Sequence, residues 1–218
     1  MKNLIIIFVA LSFFGCEFQD QPDSMIKENR SATINYWDWN GLNDISAQRD
    51  GTEIKVLIMG DSTMEIGDTW DYLPTDWTVI NVAKGTTSSV GVYNRRHFIS
   101  EQLPDYIVLG VGMNDCLLDY DLNSFVVYYS AILQEAEDNG IPVLCIQISD
   151  PWGVAYPESL YRNILIINML QGRPDAHYIH VGATIWNMDG SLIHFKPEFY
   201  EDISILIENK INEIEGGE

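Results

Sequence analysis

A three-layer α/β/α sandwich around a five-stranded parallel sheet is the fold class this sequence predicts. Three observations predict it. Short apolar runs such as Val56-Leu57-Ile58-Met59 and Val143-Leu144-Cys145-Ile146 leave no polar face for water, so they read as strands buried on both sides. Stretches of helical periodicity alternate with these runs, which gives a parallel sheet with helices on both faces. Three consecutive strands end in unusual turns, at Ser62, Gly85 and Asn114.

The first strand runs through Met59 and stops at Gly60-Asp61-Ser62-Thr63, followed by a broken helical stretch ending near Pro74. A second strand, residues 77–82, ends in Ala83-Lys84-Gly85-Thr86-Thr87, and Ser88 or Ser89 caps the helix after it. The third strand, residues 106–111, ends in Gly112-Met113-Asn114-Asp115. Beyond it Leu122, Phe125, Val126, Tyr129, Ile132, Leu133 and Ala136 form one buried helical face, which Gly140 and Pro142 stop. A fourth strand occupies residues 141–148, a helix residues 158–170 and a shorter fifth strand residues 177–181. Pro197 opens the last helix, whose stripe is Tyr200, Ile203, Ile207, Ile211 and Ile214.

The 218 residues suit a single domain, and 46% apolar with 20% charged residues is a globular balance. The net charge of -20 argues against nucleic acid, whose phosphates demand an excess of Lys and Arg. It also disfavours adhesion to anionic lipid through charge.

The N-terminus reads as a separate segment. Met1-Lys2-Asn3 supplies a positive start, residues 4–14 form an apolar run too short to span a bilayer, and Gly15-Cys16 ends it. This resembles a bacterial lipoprotein signal, in which Cys16 becomes the lipidated first residue. Phe13 stands where that signal usually has an aliphatic residue, and an ordinary secretory signal is the alternative. The organisation expected is a signal peptide over 1–16, a tether and N-terminal extension over 17–50, and a domain over 51–218. Some fifteen flexible tether residues would reach roughly 20 Å. Export to the cell envelope, with a lipid anchor to the membrane, follows as the expected localisation. Trp37 and Trp39 flank a carboxylate; they either pack the extension onto the domain or stack on a sugar ring. Cys116 and Cys145 could pair in a disulfide in an oxidising compartment, but two buried thiols are expected, since Cys145 lies inside an apolar strand.

Parallel strands place their carboxyl ends on one edge, so Ser62, Gly85 and Asn114 should be neighbours. Acyl transfer needs such a set: a hydroxyl to attack a carbonyl, and donors waiting for the oxyanion. The Ser62 and Gly85 N–H groups and the Asn114 amide are three such donors. Each has an ordinary reading as well, Ser62 and Asn114 as capping residues and Gly85 as a turn. A base is still required. Of the four histidines, His97 falls in a helix and His177 and His180 border a strand, whereas His194 lies in the loop before Pro197. That loop leaves from the same sheet edge.

Gly60-Asp61-Ser62, Gly85 after Asn81, Gly112-Met113-Asn114-Asp115, and His194 before Pro197 resemble the four blocks of the SGNH (GDSL) hydrolase family, in order, over residues 54–214. The resemblance implies a flavodoxin-like sandwich and ester hydrolysis through an acyl-enzyme. It makes Ser62 the nucleophile, His194 the base, and Ser62, Gly85 and Asn114 the oxyanion hole. Asp61 would hold the turn and Met113 would be scaffold. The family usually carries an aspartate three residues before the histidine, where this chain has Ser191; Asp189 lies two residues further upstream. Either Asp189 orients the imidazole or a backbone carbonyl does and the site runs as a dyad.

No Gly-x-Ser-x-Gly, His-Glu-x-x-His, paired Cys-x-x-Cys or phosphate-binding glycine loop occurs, so no metal or other cofactor is expected. The expected activity is removal of short acyl groups, acetyl first, from a carbohydrate. The tryptophans Trp37, Trp39 and Trp152 and the want of a long apolar lid are its support. A small-molecule or glycan ester is the partner implied. The alternatives are a lipase, lysophospholipase or thioesterase, an acyltransferase with the same residues, and a lapsed, glycan-binding lipoprotein.

Overall fold

The five strands are hydrogen-bonded in the order β2-β1-β3-β4-β5, every pair parallel. They are β1 (Lys55–Gly60), β2 (Thr78–Asn81), β3 (Tyr106–Gly110), β4 (Val143–Ile146) and β5 (Ala176–Ile179). The structure is a computed structural model, and it describes residues 53–148, 157–182, 187 and 194–216. Cys16, Trp37, Trp39, Trp152, Asp189 and Ser191 lie outside the described residues.

The helices are α1 (Ser62–Glu65), α2 (Ser89–Tyr93), α3 (His97–Gln102), α4 (Met113–Leu117), α5 (Leu122–Asp138), α6 (Pro157–Leu170) and α7 (Pro197–Gly216), with a 3₁₀ helix at Gly67–Tyr72. Alternation along each strand divides the core into two layers. Leu57, Met59, Ile107, Leu109 and Cys145 face one way and pack with Val92, Phe125, Tyr129, Ile132 and Ile166. Val56, Ile58, Val108, Leu144 and Ile146 face the other way, under Trp70, Tyr200, Ile203, Ile207 and Ile211. This is the sandwich expected. Its strand order is the flavodoxin-like one, with the switch in direction at β1 and β3, where open α/β sheets form their crevice.

Several element ends fall short of expectation, for local reasons. Strand β4 stops at Ile146 because Ile148 N–H and C=O both bond the Asn163 side-chain amide, at 2.9 and 3.0 Å. Strand β5 stops at Ile179, and Val181 N–H is turned to Gln147 Oε1 at 3.1 Å. Leu122 is exposed at the start of α5, so the buried face begins at Phe125. Ser88 occupies the N-cap position of α2 but makes no side-chain cap bond. Asp115 does that work from another element: it accepts from Ser89 N at 2.9 Å and Ser89 Oγ at 2.5 Å.

Gly60 and Gly110 face each other at the ends of β1 and β3. A Cβ at Gly60 would lie 2.2 Å from Gly110 O and 2.4 Å from Met64 Cγ. Their bareness lets α1 settle directly on the strand ends. Asp61 makes the turn: its N–H donates to Gly110 O at 3.2 Å, and its Oδ1 accepts from Thr63 N at 3.0 Å. The side chain is buried, and burial pushes its carboxyl up to about 6, against lowering by the Thr63 hydrogen bonds.

The folded carboxyl therefore holds its proton more tightly than the unfolded one, and ionising it costs stability as pH rises from about 4 to 6. At neutral pH that cost is about 3 kcal/mol, at 1.36 kcal/mol for each unit of displacement. Asparagine keeps a capping oxygen. Asp61→Asn should thus be more stable than the parent in urea at pH 7.5, by up to about 3 kcal/mol. The gap should close by about pH 4; equal stability at pH 7.5 would mean that the turn compensates the ionised carboxylate fully.

Candidate active site

Ser62 opens α1 immediately after the Asp61 cap, so its N–H is one of the unpaired donors of a helix start. His194 lies 132 positions later, and its Nε2 is 2.8 Å from Ser62 Oγ. Packing explains how so distant a residue arrives. Phe195 is buried and meets Tyr200 edge-on, with ring centroids 5.6 Å apart. Tyr200 Oη in turn donates to Thr63 C=O at 2.8 Å. The loop that carries His194 and the helix that carries Ser62 are thereby tied together.

The loop after β2 is held against α1 by Asn81. Its Nδ2 donates to Met64 C=O at 2.9 Å, and its Oδ1 accepts from Ala83 N at 2.9 Å. Lys84 N–H then bonds Gly60 C=O at 3.1 Å. Thr86 has φ of 61°, unusual for a β-branched residue, so the loop is bent sharply just past Gly85. Gly85 N–H donates to Glu65 Oε2 at 2.7 Å.

Asn114 lies in α4, and its Nδ2 donates to Thr87 C=O at 2.9 Å. An amide nitrogen carries two protons, so this bond orients the group and leaves it a further donor. Asp115 beside it is buried and holds Ser89; burial raises its carboxyl, and the Ser89 hydrogen bonds and Arg162 lower it. Arg162, fully buried on α6, donates to Asp115 C=O at 3.1 Å and Tyr120 C=O at 2.5 Å. It fixes the backbone of the α4 turn.

The structure thus brings Ser62 and His194 into contact, sets Gly85 beside Ser62 on the loop after β2, and bonds the Asn114 amide on α4 to that loop at Thr87. Met113 is buried, as scaffold should be. Asp189, the expected partner of the imidazole, falls outside the described residues. The other histidines have other settings. His97 is exposed and lies 4.4 Å, centroid to centroid, from Phe98. Burial and Lys210 lower His177, and His180 is exposed. Cys116 and Cys145 are free and buried, and burial pushes the thiols up to about 11 and about 12. Neither is a thiolate at neutral pH, so neither is an activated nucleophile. Among the described residues no cluster of three or more His, Cys, Asp or Glu could hold a metal, and no helix is long and apolar enough to cross a membrane.

Four residues of this site carried no assignment in the sequence: Glu65, Asn81, Arg95 and Arg162. Arg95 Nη2 donates to Gly60 C=O at 3.0 Å and Thr87 Oγ1 at 3.2 Å. Glu65 stands three residues after Ser62, on the same side of a helical turn, and that spacing is a readable signal. Arg162 also stands out, as the lone cation within an apolar helix.

No family model and no curated protein matches the chain by sequence. Solved structures do match by shape. A GDSL-like lipase from Bacteroides thetaiotaomicron aligns with TM-score 0.66 at 17% identity, over 81% of this chain and 96% of that one. The psychrotrophic esterase EstA from Pseudoalteromonas sp., inhibited by monoethylphosphonate, aligns with TM-score 0.59 at 16% identity, over 75% and 99%. A carbohydrate esterase family 3 structure from Talaromyces cellulolyticus aligns with TM-score 0.61 at 16% identity, over 74% and 97%. Five parallel strands in flavodoxin-like order, matched over nearly the full length of each of these proteins, give this chain the SGNH (GDSL) hydrolase fold.

Proposed function

We propose that this protein is a serine ester hydrolase that removes short acyl groups, acetyl first, from carbohydrate. The observation that carries the reading is the 2.8 Å contact between His194 Nε2 and Ser62 Oγ at the carboxyl edge of the sheet. His194 takes the Ser62 proton as the oxygen attacks the ester carbonyl. The carbonyl oxygen becomes an oxyanion and rests among the Ser62 N–H, the Gly85 N–H and the Asn114 amide. The tetrahedral intermediate collapses, His194 returns the proton to the departing alcohol, and the acyl group stays on Ser62. Water, deprotonated by His194, then attacks the acyl carbon and releases the acid.

The substrate class draws on two kinds of support. Carbohydrate esterases are among the proteins of the same fold, including an acetylxylan esterase from Geobacillus stearothermophilus and the Talaromyces cellulolyticus structure. The sequence adds Trp37, Trp39 and Trp152 as flat apolar surfaces of the kind sugars stack on. Export with a lipid on Cys16 would place the enzyme where polymeric glycans are met.

Ser62→Ala should lower kcat/KM on p-nitrophenyl acetate on the order of 10⁵-fold or more, and an organophosphonate should label Ser62 alone. Acetate should be released from acetylated glycan faster than fatty acid from long-chain esters; the reverse preference points to a lipase. Equal, negligible turnover by parent and variant would leave a binding module.

Asp189 is proposed to hold the imidazole in its productive tautomer. Asp189→Asn should then cut kcat roughly 10⁴-fold with little change in KM, whereas a loss below tenfold makes the site a dyad. Cys16→Ser should move the protein from the membrane to the soluble fraction of cells, and unchanged fractionation would rule out the anchor.

A further inference from the structure

One of the three donors proposed for the oxyanion already has a negative oxygen on it. The Glu65 carboxylate accepts from Gly85 N–H at 2.7 Å. A Cβ at Gly85 would come within 2.5 Å of that Glu65 oxygen and 3.6 Å of Ser62 Cβ. Carboxylate, amide and the stem of the nucleophile therefore crowd a single spot. We propose that Glu65 is a specificity-determining residue of the hydrolytic site: it occupies the Gly85 seat in the free protein, gives way to an ester carbonyl, and then selects against anionic acyl groups. The inference rests on the esterase reading of the site and deepens it.

The physical case is a competition between acceptors. A hydrogen bond to a carboxylate is roughly twice as strong as one to a neutral carbonyl. An ester in its ground state is therefore the weaker ligand for Gly85, and displacing Glu65 costs binding energy. The tetrahedral oxyanion carries a full charge and competes on equal terms. The penalty consequently falls on substrate binding, since only the fraction of protein with the seat open can take the ester.

The displaced carboxylate has somewhere to go. Among the described residues Arg95 Nε is buried without a hydrogen-bond partner, and its Nη2 is anchored beside the same loop. Burial lowers the guanidinium to about 10, with the charges of Glu65 and Asp61 acting against that fall, so Glu65 lies within electrostatic reach. Swung toward Arg95, its charge still borders the acyl site. A neutral acetyl group tolerates that neighbour; a succinyl group with its own carboxylate does not. A plain structural pin between α1 and the Gly85 loop would use the same hydrogen bond, and kinetics separates the two roles.

The experiment compares full-length parent, Glu65→Gln and Glu65→Ala on p-nitrophenyl acetate and p-nitrophenyl hemisuccinate. KM for the acetate should fall about threefold to tenfold in both variants, with kcat not lowered. The gain in kcat/KM should be larger for the hemisuccinate, by about a further tenfold at an effective dielectric near 20. An unchanged KM, or a fall in kcat on both esters, overturns the proposal and leaves Glu65 as a pin. The second readout is the Gly85 amide proton in NMR spectra. It should move upfield in Glu65→Ala and respond there to millimolar acetate that leaves the parent unaffected. If the parent hydrolyses neither ester, the esterase reading fails by itself, and a Gly85 resonance identical in parent and variants refutes the seat.

Discussion

Two bare backbones side by side set the geometry on which everything at the rim depends. Gly60 and Gly110 end adjacent strands in register, and Met64 lies against both positions where a Cβ would stand. Any side chain there would lift α1 off the sheet. Ser62 would rise with it, straining the Tyr200–Thr63 bond that ties α1 to a histidine loop rooted in the core by buried Phe195. The contact between positions 62 and 194 is thus a consequence of close packing beneath it. Hydrogen bonds at the surface of the site trim a placement that the strand ends have already made.

A second layer of polar contacts holds the donors. Asn81 couples the β2 loop to α1, Thr87 C=O orients the Asn114 amide, and Asp115 grips the start of α2 through Ser89. Arg162 closes this set from the far side, spending its charge on backbone carbonyls of the α4 turn. Buried polar groups are tolerable only when paired, and here the pairing joins loops that follow three different strands. Pre-arranged dipoles are what an oxyanion requires, because reorganising them during reaction would forfeit most of their benefit.

The sheet was legible because its signals are local. Runs of four or five apolar residues bounded by glycine and polar turns have few other readings in a chain of this length. The helical stripes from Phe125 to Ala136 and from Tyr200 to Ile211 followed from period alone. The meeting of Ser62 with His194 and Gly85 was expected from topology, since parallel strands deliver their loops to one edge. What escaped the sequence were interactions between elements. The truncation of β4 needs Asn163 opposite Ile148, and the capping of α2 needs Asp115 instead of Ser88. Neither pairing leaves a trace in local composition. Glu65 was hidden differently. Its spacing from Ser62 was readable, but its partner was not: it is an exposed helix residue whose role shows only in its bond to Gly85 N–H.

Charge around the site pulls two ways. Acid groups at positions 61, 65 and 115 lie on the elements that carry Ser62 and Asn114, where the proposed reaction would form a negative oxygen, in a chain already at -20. A unit charge about 8 Å from such an oxygen would oppose it by about 2 kcal/mol at an effective dielectric of 20. The same charges would favour the imidazolium that the proposed mechanism forms on His194 in the same step. The reaction separates the two charges, so what matters is which one each carboxylate lies nearer. Asp61 is turned into the Thr63 amide and Asp115 into Ser89, whereas Glu65 is bonded to the Gly85 N–H, one of the proposed donors. On the proposed mechanism such a site would gain stabilisation from its dipoles and lose part of it to the Glu65 carboxylate, with the balance struck at the Gly85 N–H.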